Sequence, residues 1–265
     1  MHFSPVLLRR SLNWGNAAIF AWLMVAGLGV VPALAAELPA PVVVPVMEPM
    51  STAEAGIPAV GARRADFRGE AVSADAKELA DWVMQSADNG NKPFIVIDKI
   101  QARVFVFQPD GQLRGATTAL MGLAIGDDSV PGIGQRKLST IRPDERTTPA
   151  GRFVASLDRD AHGHEVLWVD YEASVSLHKV VQGTAKERRA QRLASPSAAD
   201  KRITFGCINV PPRFYDDVVS ASFKGIEGIV YVLPETRPAR QVFGFYAVEN
   251  RVQVLGATNA PTGTR

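Results

Sequence analysis

The chain has 265 residues, 46% hydrophobic and 21% charged, enough to bury one substantial core with tails but a squeeze for two full domains. Its formal charge is +2, and Arg9 and Arg10 are the only charged residues before Glu37, so the remainder carries no net charge and bulk electrostatics argues against a nucleic-acid partner. A single cysteine, Cys207, excludes an internal disulfide.

Residues 1–35 combine the basic pair Arg9-Arg10, an uncharged apolar run from Ala17 to Val31 and the small-x-small ending Ala33-Leu34-Ala35. This is the pattern of a secretory signal peptide, and it predicts a periplasmic location after cleavage. The competing reading is an uncleaved leader that anchors the chain in a membrane, because the run borders on the roughly 18 to 20 residues that a spanning helix needs. Residues 36–72 follow as a Pro/Ala-rich linker, broken by Pro39, Pro41, Pro45, Pro49 and Pro58. Residues 73–92 then read as a helical extension: Ser73 is placed to cap it, Leu79, Trp82 and Val83 share a face, and Asn89-Gly90 ends it.

A β-rich unit over 93–235 begins with Phe94–Asp98 and Ala102–Phe107, two β-branched and aromatic strands, before the Pro109-Asp110-Gly111 turn and a further strand through Leu120. Beyond a Gly/Asp-rich loop over Gly122–Gly134, strands are predicted near Arg152–Leu157, Glu165–Tyr171 and Ser174–Val180. Short strands at this spacing predict a mainly β sandwich or barrel rather than a parallel α/β sheet. Asp160, His162 and His164 crowd together, but Gly163 between them and no helix to align them make a solvated loop rather than a metal site. No cofactor is expected.

Thr184-Ala185-Lys186-Glu187 is a capping box, so a short helix bearing Arg188, Arg189 and Arg192 is predicted before Ser195-Pro196. Lys179–Arg202 holds seven Lys/Arg against Glu187 and Asp200, and these guanidiniums are candidate grips for a substrate carboxylate. Pro211-Pro212 opens another helix with Phe214, Val218 and Phe223 on its buried side, and Gly228–Leu233 is a strand. Residues 236–265 form a C-terminal extension in which Gln241–Val248 could pair as a strand and the end reads as disordered.

The chemistry concentrates in Thr204-Phe205-Gly206-Cys207-Ile208-Asn209. A lone thiol after a glycine suits a nucleophile on a tight turn, where a residue lacking Cβ lets backbone N–H groups reach a developing oxyanion. His178 is the candidate base, since His2 lies in the leader and His162 and His164 on the loop. Gly206 and Cys207 would supply the oxyanion donors, with Thr204 at the turn and Asn209 either bracing it or contacting substrate.

The run from His178 to Ser/Thr-x-Gly-Cys-hydrophobic-Asn resembles the signature of the L,D-transpeptidase catalytic domain family (YkuD-like). Phe94–Pro234 is similar throughout to its periplasmic proteobacterial branch, including Thr148-Pro149-Ala150-Gly151-Arg152-Phe153, Trp168-Val169-Asp170-Tyr171 and Ser176-Leu177-His178. Phe205 departs from the His, Lys or Tyr often found there and is kept as a substrate-binding candidate, while the long interval from His178 to Cys207 implies an insertion. The resemblance implies a β-sandwich with a few short helices. It further implies a peptidoglycan L,D-transpeptidase in which Cys207 takes the acyl group of a tetrapeptide stem at its meso-diaminopimelate–D-alanine bond and passes it to an amine. In the family the histidine's further partner is often a backbone carbonyl beside it. The acceptor could be another stem peptide or a lipoprotein lysine; water would make the protein a carboxypeptidase or endopeptidase on the same wall peptides.

Overall fold

The computed structural model describes residues 63–244. The expected leader, most of the expected linker and residues 245–265 lie outside the described residues.

Among the described residues ten strands carry the fold: β1 (Phe94–Asp98), β2 (Arg103–Phe107), β3 (Leu113–Thr118), β4 (Met121–Gly122), β5 (Gly151–Arg159), β6 (Glu165–Asp170), β7 (Val175–Lys179), β8 (Arg202–Thr204), β9 (Ile208–Val210) and β10 (Gly228–Val232). Eight form one mixed sheet in the order β3-β2-β1-β10-β5-β6-β7-β9, and β4 pairs with β8 in a separate two-stranded sheet. The fold is mainly β. The long strand β5 belongs to both halves of the large sheet: Gly151–Ala155 pair with β10, whereas Ser156–Arg159 pair with β6. The sheet therefore closes over a shared core. Ile95, Ile97, Val104 and Val106 of one half pack with Leu167, Val169, Val175 and Leu177 of the other, and Tyr215, Val219 and Phe223 fill the same cluster. Alternation explains the choice, since residues two apart on a strand share a face.

The outer face of the first half is covered by α1 (Ala74–Ser86). Ser73 Oγ accepts from the Ala76 N–H at 3.2 Å and donates to Asp98 Oδ2 at 2.6 Å, so one side chain caps the helix and ties it to the end of β1. Leu79, Val83 and Met84 are buried against Phe94, Val96, Phe105 and Phe107; each such side chain contributes about 1.5–3 kcal/mol of burial. Trp82 packs half-buried on the same cluster.

Three sequence expectations change. Residues 63–72, taken as the end of the linker, lie on the domain: Phe67 is buried edge-on to Phe105 and Phe107, and the Asp66 N–H donates to the Gly111 carbonyl at 3.0 Å. Gln241–Phe243 belong to a helix, Ala239–Phe243, not to a strand, because Ala239 and Phe243 pack against the cluster beneath α1. The helix after Pro211 runs over 212–223 with Tyr215–Ser220 widened into a π-turn, which sets Tyr215 and Val219 fully into the core beside the expected Phe223.

Candidate active site

The strands β7 and β9 run parallel in register, His178 opposite Asn209 and Leu177 opposite Ile208. Leu177 and Ile208 point into the core, so Ser176, His178 and Asn209 fall on the other face of the sheet. Cys207 immediately precedes β9 and is half-buried. Its sulfur lies 3.8 Å from Ser176 Oγ and 3.8 Å from the Ser174 carbonyl oxygen. His178 stands beside it, and the two shift one another. Burial pushes the Cys207 thiol up, but His178, with the Ser176 N–H and hydroxyl, outweighs it and holds the thiol below its ordinary pKa. Burial likewise opposes a charge on His178, yet Cys207 and the Lys179 carbonyl outweigh it and raise the imidazole above its ordinary value.

The turn that presents the thiol is cinched by two threonines. Thr204 Oγ1 accepts from the Gly206 N–H at 3.1 Å and donates to the Cys207 carbonyl at 2.7 Å. Thr148 Oγ1 accepts from the Gly122 N–H at 2.9 Å and donates to the Gly206 carbonyl at 2.8 Å. Gly206 has φ +133°, and a Cβ there would meet the Thr147 carbonyl oxygen at 2.7 Å, so no other residue fits. The Gly206 N–H, expected to help bind an oxyanion, is therefore already spent on Thr204. The Cys207 N–H has no acceptor among the described residues and is the amide left for that role.

Asn209 braces the histidine rather than the turn. Its backbone exchanges two 2.9 Å bonds with Leu120, and its side-chain Nδ2 lies 2.9 Å from His178 Nε2. His178 Nδ1 lies 2.8 Å from the Lys179 carbonyl oxygen.

The insertion folds as a tight turn, Ala185–Glu187, and α2 (Arg189–Ala194), joined through Arg188 in the left-handed region at φ +46°. This turn aims the expected substrate grips inward. Arg189 bonds Glu187 Oε2 at 2.7 Å and Asn209 Oδ1 at 3.0 Å, and Arg192 bonds the Glu187 and Asp200 carbonyls at 2.9 and 2.8 Å. Both guanidiniums thus bond within the protein. Arg188 is exposed and has no side-chain partner among the described residues. Phe205 is half-buried, with the Arg146 guanidinium 3.9 Å from its ring centroid. Asp160 accepts the N–H groups of His162 and His164 at 2.8 and 2.9 Å, shaping the β5–β6 turn. A cleft of about 390 Å³ beside His178 is lined by Asp160, His164, Glu165 and Val181.

Sequence reasoning did not assign roles to Ser176, Thr148 or Arg189's contact with Asn209. Ser176 was legible from strand alternation, two residues before His178; the Thr148 and Arg189 contacts depend on loop paths that no local pattern encodes.

Fold and site together define a mainly β protein with a half-buried cysteine–histidine pair. No family model matches the chain, and no curated protein matches it. Solved structures similar to it are L,D-transpeptidases and a cell-shape protein. The helical cell shape determining protein Pgp2 from Campylobacter jejuni is 13% identical with a TM-score of 0.38, over 55% of this chain and 49% of that one. The Enterococcus faecium L,D-transpeptidase is 16% identical with a TM-score of 0.31, over 54% and 50%, and the structure of its catalytic domain 17% with 0.30, over 54% and 98%. The chain thus spans about half the length of the first two structures.

Proposed function

We propose that this protein is an exported peptidoglycan L,D-transpeptidase, a cysteine acyltransferase of the cell wall acting in the periplasm. The observation that carries the reading is the juxtaposition of Cys207 and His178, with the thiol held below its ordinary pKa by the imidazole. The resemblance of the surrounding residues supplies the substrate class. In the forward step the Cys207 thiolate attacks the carbonyl of meso-diaminopimelate in a tetrapeptide stem, and negative charge develops on that oxygen near the Cys207 N–H. As the intermediate collapses, the imidazolium gives its proton to the departing D-alanine amine, leaving a thioester. An acceptor amine then attacks the thioester, His178 takes the amine's proton, and the thiolate is released. On this reading the acceptor approaches from the cleft that borders His178 and the β5–β6 turn.

Incubating the mature protein with purified stem peptides and reading products by mass spectrometry tests the proposal. Cross-linked dimer or exchange with an added amine is the expected result. Loss of D-alanine without transfer would make the protein a hydrolase of the same peptides, and unchanged peptides would contradict both activities.

A further inference from the structure

We infer that Arg189 is a positioning residue that sets the protonation of His178 by holding the side-chain amide of Asn209. This rests on the reading of Cys207 and His178 as nucleophile and base. A guanidinium only donates, and Arg189 Nη1 lies 3.0 Å from Asn209 Oδ1 while its Nε is held by Glu187 at 2.7 Å. The amide oxygen must therefore face Arg189, which turns the NH₂ group, a donor only, onto His178 Nε2 at 2.9 Å. Nε2 must then present its lone pair. The other ring nitrogen, Nδ1, is 2.8 Å from the Lys179 carbonyl, an acceptor only, and must carry the proton. One assignment satisfies the whole chain Glu187–Arg189–Asn209–His178–Lys179: a neutral imidazole protonated at Nδ1.

That resting state is not the one catalysis needs. For Sγ–H to give its proton to Nε2, leaving thiolate and imidazolium, the Asn209 N–H must leave Nε2. The amide would turn its oxygen inward to accept the new Nε2–H, and its NH₂ would then oppose the Arg189 donors. The asparagine cannot move away instead, being buried and bonded through its backbone to Leu120 in both directions. Arg189 thus favours the neutral histidine, and Cys207 favours the charged one. The other charged groups around His178 are Arg159, Asp160, His164 and Glu165 across the cleft, and Lys179 on its own strand, which is paired with Asp216 at 2.7 Å. Among the described residues none of these hydrogen-bonds the ring through its side chain, so removing Arg189 alters one influence and leaves the rest.

The test is nitrogen NMR of ¹⁵N-histidine-labelled full chain, in which only four histidines contribute. A Cys207→Ala background removes the thiol's pull. The neutral form of His178 is expected to carry its proton on Nδ1. Arg189→Ala is expected to raise the His178 pKa by about one unit, the size of one hydrogen bond, and Arg189→Lys, still a pure donor, to restore the parent titration. With Cys207 intact, Arg189→Ala should move the midpoint of thiol alkylation to lower pH. A neutral His178 protonated at Nε2 would overturn the inference, as would a folded Arg189→Ala whose His178 pKa is unchanged or lowered. Should Arg189→Ala not fold, the tautomer of the parent and the Arg189→Lys titration decide it. No wall peptide enters these measurements, so their failure is distinct from failure of the transpeptidase reading.

Discussion

Lys99, just after β1, and His178, in β7, are both basic side chains, and they are held in opposite ways. Lys99 is fully buried, and its three donors are met by the Gly126 carbonyl at 2.6 Å, Asp127 at 2.8 Å and the Thr148 carbonyl at 2.9 Å, with Glu235 at 3.5 Å and Arg202 paired to Glu235 beyond. Asp127 also accepts from the backbone N–H groups of Glu235 and Thr236. Nothing in that cluster is left to react. His178 is half-buried, beside a half-buried thiol, and its bonds to Asn209 and Lys179 suit only one of its two charge states. The difference teaches that a satisfied polar cluster acts as scaffold, whereas an ambivalent one can carry chemistry. Thr148 links the scaffold to the turn before Cys207: its carbonyl anchors Lys99 and its hydroxyl holds Gly206.

Breaking the scaffold should have the largest effect. Lys99→Met strands Asp127 in the interior and is expected to cost about 3–5 kcal/mol, read as a steep fall in melting temperature. Cys207→Ser, by contrast, should leave that temperature nearly unchanged. The same cluster has a pH signature. Burial alone would raise the Asp127 carboxyl, but Lys99, Thr236 and the Glu235 N–H outweigh it and hold it far below the usual carboxylate range. Its stabilisation is therefore complete above the unfolded value of about 4 and is lost as pH falls towards the folded one. Denaturation curves of Asp127→Asn should show a weaker dependence on pH in that acid window than the parent.

Thr148→Val sharpens the comparison at the junction. It leaves the Gly122 N–H and the Gly206 carbonyl without partners while Lys99 keeps the Thr148 main chain, at a cost of about 1–3 kcal/mol, and it should slow Cys207 acylation more than it lowers stability suggests. Smallest of all is Arg188→Ala. An exposed guanidinium with no partner among the described residues should change stability by under about 0.5 kcal/mol, so any loss of transfer activity would report substrate contact directly.

Much of the scaffold was legible in the sequence because its signals are local. Phe94–Asp98 reads as a strand from its β-branched run, and Ser73 as a helix cap from its place before an amphipathic stretch. The thiol and the histidine were legible because their residue types are rare in this chain, and the glycine because it directly precedes the thiol, where a tight turn needs it. The short basic helix of the insertion was legible from its capping box, but the partners of its arginines were not. Its basic residues look solvated in one dimension, but the left-handed Arg188 reverses the chain and sends Arg189 and Arg192 inward. The contact of Phe205 was not legible either, since its partner Arg146 lies far away along the chain.

The central claim, that His178 activates Cys207, is tested most directly by the pH dependence of Cys207 alkylation in the parent and in His178→Ala. Because the chain has one cysteine, every adduct is assignable. Alkylation of the parent should persist well below the pKa of about 8.5 of a free thiol, and His178→Ala should return the profile to free-thiol behaviour with little change in melting temperature. A parent profile that already follows a free thiol, or one that His178→Ala leaves in place, would contradict it.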